Sequence, residues 1–440
     1  MIRPLDGSQD ESEPAFEKDP IKPASEKLVL QRFAELWKSL FSSPVHLDSA
    51  LSKLPKSLKT TLAQIIPQIL LRPVSQAEMV GIGIAPDEPW SLSAAHLSHW
   101  RPAQVLAQRL YGMMSQKHEP PSAQPGDFPK RMIQEWEAAW GHKNMLELVS
   151  VLGREAPLSL RASRKVGAAG LLKGLTDGSR LPVKAELSGF SPLGVRLSGY
   201  APVLGTELYK QGAFEIQDEG SQLMALFALW PEKFGKILSK NPGRVKESTP
   251  VELPGETPAW TVIDACAGAG GKSLALSDAM GGKGRIFAYD VSATKLQALR
   301  RRATHAGLNN IQAVLLKEGE EEATIGKFRR RAHVVLVDAP CSGWGVLRRN
   351  PDIKWRQATE SMQRLPEIQL RLLSQYSQLV AGEGRLIYGT CTFRPAETRE
   401  IAERFLAAHP EFEAREGGYL GPGPCDGFFM QCFVRRKQSK

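Results

Sequence analysis

The chain has 440 residues, of which 42% are hydrophobic and 24% charged, with a net charge of +10 and a pI near 9.3. The length exceeds one ordinary core, so two or three domains are expected, and the positive charge favours an anionic partner. No run approaches the roughly 20 apolar residues that span a bilayer, and the polar, acidic start from Met1 to Pro20 is not a secretory signal. Five cysteines without Cys-x-x-Cys spacing fit neither a disulfide framework nor a zinc site, and His96 and His99 have no further ligands nearby. A metal-free, cytoplasmic protein in a reducing compartment is the natural reading.

In chain order, residues 1–25 are polar and proline-containing and are expected to form a disordered tail. Residues 26–117 carry apolar residues at spacings of three and four, as in Leu30, Phe33, Trp37 and Leu40, which predicts a helical N-terminal domain. A proline-rich linker, 118–127, follows. Residues 128–211 combine a helix from about Lys130 to Gly141 with short strands at Leu158–Arg161 and Gly194–Leu197, a small α+β module. The segment 231–258 is basic and proline-rich and is predicted to be an exposed insertion in the remaining domain, 212–440. Beyond it, strands at Thr261–Ile263, Arg285–Tyr289, Ile311–Leu315, His333–Val337 and Arg385–Tyr388 alternate with helices. Such alternation predicts an α/β fold with a doubly wound, mostly parallel, Rossmann-like sheet.

The first of these strands runs into a glycine-rich turn, Asp264-Ala-Cys-Ala-Gly-Ala-Gly-Gly-Lys272. A phosphate-binding loop would need glycine where Cys266 stands, and a dinucleotide fingerprint would need glycine at Ser273. What remains suits S-adenosylmethionine, which has no phosphate and needs a closely approaching backbone and a carboxylate. The turn residues Cys266, Ala267, Gly268, Ala269, Gly270, Gly271 and Lys272 are the candidate cradle. Asp290, ending the next strand, either accepts hydrogen bonds from ribose hydroxyls or caps the helix that starts near Ala293.

Two cysteines stand at later strand ends: Cys341 in Asp338-Ala-Pro-Cys-Ser-Gly343 and Cys391 in Tyr388-Gly-Thr-Cys-Thr-Phe393. Open α/β sheets place their sites at such ends, so paired thiols there point to covalent chemistry. Cys425, Cys432 and Cys266 read instead as small buried hydrophobes, the last packed under the glycine turn.

Six motifs in this order resemble the Sun-type (RsmB-like) RNA cytosine-C5 methyltransferases, over about Phe128 to Val434. They are Gln217–Gln222, Asp264–Lys272, Asp338–Cys341, Arg348–Trp355, Thr390-Cys391 and Asp426–Phe429; Pro157–Arg161 matches the family's RNA-contacting module more loosely. The resemblance implies that Cys391 is the nucleophile and Cys341 assists product release. It implies that Asp338 acts at N3 of the cytosine and contacts the cofactor, and that Lys272 orients Asp338 or keeps a thiol ionised. The family's adenine-proximal aspartate falls on Lys317, with Glu318 beside it. Arg161, Arg348, Arg349 and Lys354 are the implied RNA contacts. The expected activity is methylation of a cytidine in single-stranded or flipped-out RNA, ribosomal in the first instance, by a monomer. Transfer RNA as substrate, or a non-catalytic RNA-binding or ribosome-assembly factor on the same fold, are the alternatives.

Overall fold

In the computed structural model, the described residues are 123 and 125–437, apart from 178–182, 200, 244–250, 256–258, 352 and 357–358. The tail and helical domain expected over residues 1–117 lie outside them. The first described helix is α1 (Lys130–Leu152). A small antiparallel sheet follows, built from β1 (Leu158–Ala162), β2 (Ala185–Leu187), β3 (Gly194–Leu197) and β4 (Phe214–Ile216) in the order β2-β3-β1-β4. Helix α2 (Gly167–Asp177) buries Leu171 and Leu175 against Leu160, Val195 and Phe214 of this sheet.

The larger sheet has seven strands: β5 (Thr261–Asp264), β6 (Arg285–Asp290), β7 (Ile311–Leu315), β8 (Ala332–Asp338), β9 (Val380–Thr390), β10 (Phe412–Leu420) and β11 (Phe428–Arg435). Their order is β10-β11-β9-β8-β5-β6-β7. Strands β5 to β9 are parallel, while β11 pairs antiparallel with both β9 and β10. The chain order reverses between β5 and β8, which opens a crevice beyond their carboxyl ends. The sheet carries helices α3 (Glu219–Leu229), α4 (Gly271–Ala279), α5 (Ala293–His305), α6 (Thr359–Ser377) and α7 (Arg399–Ala408). Strand β8 shows why both faces are apolar. Val335 and Val337 enter one core with α1 and α7, whereas Val334 and Leu336 enter the other with α3. A strand buried on both sides is a continuous apolar run, the pattern legible in the sequence.

Three domain expectations are corrected. Helix α1 runs past Gly141, whose φ of 78° interrupts it, as far as Leu152. It belongs to the large core, since Trp136 meets Trp344 and Phe393 at ring-centroid distances of 5.9 and 5.6 Å. The small module also extends beyond residue 211, because β4 completes its sheet. The expected exposed insertion begins as core: Phe234, Ile237 and Leu238 are buried with α3, and Ser239 bridges to Tyr419. Its proline and lysine content hides an apolar set that the sheet edge absorbs.

Candidate active site

The glycine turn links β5 to α4. Gly270 has a φ of +89°, and a Cβ there would lie 2.5 Å from Leu299 Cγ, so only glycine lets α5 pack this closely. Gly268, with a φ of +56°, has nothing within 4 Å of its missing Cβ. Its outer side faces open space, so backbone is presented to whatever lies beyond the strand ends. Asp290 Oδ2 accepts a hydrogen bond from the Gly268 amide at 2.9 Å, and Oδ1 accepts one from the Ser292 amide at 2.8 Å. Helix α5 is capped by Ser292, which accepts from the Lys295 amide, so Asp290 is not its cap. The carboxylate braces the turn from the end of the adjacent strand.

Beneath the turn, Asp264 is fully buried and accepts from Ser273 Oγ at 2.6 Å, while its Oδ1 has no partner among the described residues. Burial pushes its carboxyl up to about 6. Burial likewise raises the Cys266 thiol far above its ordinary value. Ala267 is buried and Ala269 exposed, the latter's carbonyl held by Arg302 at 2.7 Å. Lys317 and Glu318 follow β7 and are exposed, with Lys317 Nζ 3.9 Å from Glu320.

On the other side of the crevice, Lys272 Nζ and Asp338 Oδ2 form an ion pair at 2.5 Å. Burial alone would lower the lysine, but the Asp338 carboxylate outweighs it and raises the ammonium group. Cys341 and Cys391 follow the adjacent parallel strands β8 and β9, and their sulfurs lie 3.3 Å apart. The hydrogen bond to Cys391, together with burial, holds Cys341 well above the ordinary thiol range. Either sulfur can be the donor between the two. Cys425 and Cys432 are buried and, like the other three cysteines, unbridged. Among the described residues no cluster of His, Cys, Asp or Glu could hold a metal ion, and no helix is long and apolar enough to cross a membrane.

Further residues shape the thiol site without having been singled out by residue-level reading. The Gly345 amide donates to the Cys391 carbonyl at 2.9 Å, and the Gly427 amide to the Gly345 carbonyl at 2.8 Å. Lys272 Nζ lies 5.7 Å from the Phe428 ring centroid. Glu397 is completely buried behind both cysteine loops. Glu397 sits outside every motif recognised in the sequence, so no local signal marked it.

In the structure, the charges of the four residues expected to contact RNA are engaged within the protein. Arg161 is 3% exposed, paired with Asp278 at 2.5 Å and bonded to Gln217 at 2.8 Å. Arg348 donates to the carbonyls of Glu155 and Gly423, and burial lowers it. Arg349 bridges Asp218 and Asp426 at 2.7 and 2.8 Å. Burial would lower Arg349, but these two carboxylates raise it. Lys354 is 3% exposed, donates to the Asp127 carbonyl and lies 3.8 Å from the Phe128 ring centroid. A buried cation must find partners inside, as Arg161, Arg348 and Lys354 have done, whereas Arg349 stays partly exposed.

Comparison with known proteins follows this geometry. A family model described as 16S rRNA methyltransferase RsmB/F matches residues 254–422. The "Probable ribosomal RNA small subunit methyltransferase B" of Bacillus subtilis is 30% identical over 334 residues, covering 70% of this chain and 66% of that protein. The ribosomal RNA small subunit methyltransferase B of Pseudomonas putida is 26% identical over 378 residues, covering 82% and 78% respectively. The chain spans about two thirds of the length of its Bacillus relative. Among solved structures, NSun6 from Pyrococcus horikoshii with SFG aligns with a TM-score of 0.56 at 15% identity, over 71% of this chain and 99% of that one, a likeness of fold.

Proposed function

Because the chain belongs to the RsmB/F family of 16S rRNA methyltransferases, we propose that it methylates C5 of a cytidine in ribosomal RNA. The observation that carries this reading is the thiol pair, 3.3 Å apart at adjacent strand ends beside the Lys272–Asp338 ion pair. S-adenosylmethionine, when bound, supplies an electrophilic methyl group to C5. The turn 266–271, Lys272 and Asp290 would hold it, with Lys317 and Glu318 beside its adenine and Asp338 beside its reactive end. The open face of Gly268 fits a closely approaching ligand, and the nearby carboxylates of Asp264, Asp290 and Asp338 fit a cationic one.

The protein's own groups do the rest. Cys391 Sγ adds to C6, and the electron pair of the C5–C6 double bond is pushed toward N3 and C5, which makes C5 nucleophilic. The proton that Cys391 gives up as it adds is taken by the Asp338 carboxylate, steadied by Lys272, and passed to N3 where this charge accumulates. Once C5 carries the methyl group, its proton leaves, the double bond re-forms and the C6–S bond breaks, returning the electron pair to Cys391. Cys341, held as a thiol, helps by passing protons between C5 and the departing sulfur. The cytidine must be single-stranded or flipped out to reach Cys391.

Trapping with RNA that contains 5-azacytidine tests the assignment. Capture through Cys391 is the expected result, and capture through Cys341 would overturn it. Calorimetry with S-adenosylmethionine separates the enzyme from a non-catalytic RNA-binding factor, which would show no binding. Bisulfite mapping of RNA from cells with and without the gene distinguishes ribosomal from transfer RNA.

A further inference from the structure

Glu397 has no part in the chemistry described above, yet it is a fully buried carboxylate between the two cysteine loops. Its Oε2 accepts from the Ser342 amide at 2.8 Å, one residue after Cys341. The same oxygen accepts from Gln369 Nε2 at 3.0 Å, and that nitrogen also donates to the Pro340 carbonyl at 2.9 Å, one residue before Cys341. Both flanks of Cys341 are therefore tied to one carboxylate. Its Oε1 accepts from Arg394 Nη1 at 2.9 Å, three residues after Cys391. Arg394 is anchored in turn by Glu135 at 2.8 Å and lies over the Trp344 ring at 5.0 Å. The Glu397 backbone carbonyl accepts from Tyr388 OH at 2.7 Å, which binds the same residue to β9.

A buried carboxylate is a poor way to gain stability alone, since its desolvation offsets much of the attraction to its partner. What it supplies here is direction: one group fixes the strand-end loops of β8 and β9 relative to each other. We propose that Glu397 is a positioning residue that sets the Cys341 thiol against Cys391 and so governs release of the covalent RNA intermediate. The proposal rests on the reading of Cys341 as the release thiol. It predicts a defect in resolving the adduct, with cofactor binding and initial attack retained.

The test compares Glu397→Gln, Gln369→Leu and Cys341→Ser in the full-length protein, each incubated with substrate RNA and S-adenosylmethionine. Covalent RNA–protein complex is read on denaturing gels, S-adenosylmethionine affinity by calorimetry, and kcat and KM by methyl transfer. Cys341→Ser is expected to accumulate adduct. Glu397→Gln is expected to do the same, with kcat lowered on the order of 10- to 100-fold, as for a misplaced group, and with KM and cofactor affinity close to wild type. Gln369→Leu leaves the carboxylate in place and is expected to accumulate less adduct, in the same direction. If Cys341→Ser accumulates adduct while neither other variant does, the positioning role is wrong. If activity in both variants falls only in step with cofactor binding, the residue serves folding alone and the proposal is overturned. If Cys341→Ser accumulates none, the reading of Cys341 fails and this proposal with it.

Discussion

Asp264 illustrates how a single buried group couples the site to pH. Its carboxyl is raised from 3.8 to about 6 because burial disfavours the charged form. The folded state therefore binds this proton more tightly than the unfolded chain. The stabilisation is complete below about pH 4 and is lost as pH rises through about 6. Above that range the buried charge costs about 3 kcal/mol relative to a neutral group. Asp264→Asn is thus expected to raise the melting temperature at pH 8 and to leave it nearly unchanged at pH 4. Equal effects at both values would show that the charge of Asp264 is not what limits stability. Asp426 behaves in the same sense, pushed up to about 7 by burial and by the neighbouring Asp218.

At the scale of elements, the thiol site depends on how closely backbones approach. Gly345 lies in the short helical turn Trp344–Val346, and a Cβ there would sit 1.9 Å from the Gly427 carbonyl oxygen and 2.9 Å from that of Cys391. Since both obstacles are backbone, the loops themselves would have to part. Gly345→Ala is expected to cost about 1–3 kcal/mol in denaturant melts and to slow adduct formation by Cys391. Gly382, with nothing within 4 Å of its missing Cβ, is the matched control, and Gly382→Ala is expected to do neither. The same scale explains what periodicity showed and what it missed. Strands β5 to β8 are short apolar runs and were legible within a residue or two. The second half of α1 was not, because Gly141 reads as a helix end, while the burial that carries the helix onward, at Met145, Leu148 and Leu152, is tertiary.

Across the whole molecule, the basic groups expected to meet RNA also join its parts. The Arg161–Asp278 pair ties β1 of the small sheet to α4 of the large one, and Gln217 extends the link to the Gly271 carbonyl at 3.2 Å. Removing one partner leaves the other buried and uncompensated, so Asp278→Ala is expected to cost about 3–5 kcal/mol in equilibrium unfolding. Lys354→Met is expected to lower stability while leaving the dependence of RNA affinity on salt unchanged. Each lost phosphate contact would instead reduce that slope by about 1.

By itself the sequence determined the α/β class, the glycine turn and the identity of the two strand-end cysteines, because these depend on apolar runs, glycines and short motifs that are local in the chain. Only the tertiary structure decided that the sulfurs meet at 3.3 Å, and that Glu397 spans their loops. Nor could the chain alone say that Arg161, Arg348 and Lys354 are buried. A cationic side chain has the same sequence signature whether its partner is a phosphate, water or a buried carboxylate from a distant residue. Which partner it finds is settled by long-range packing.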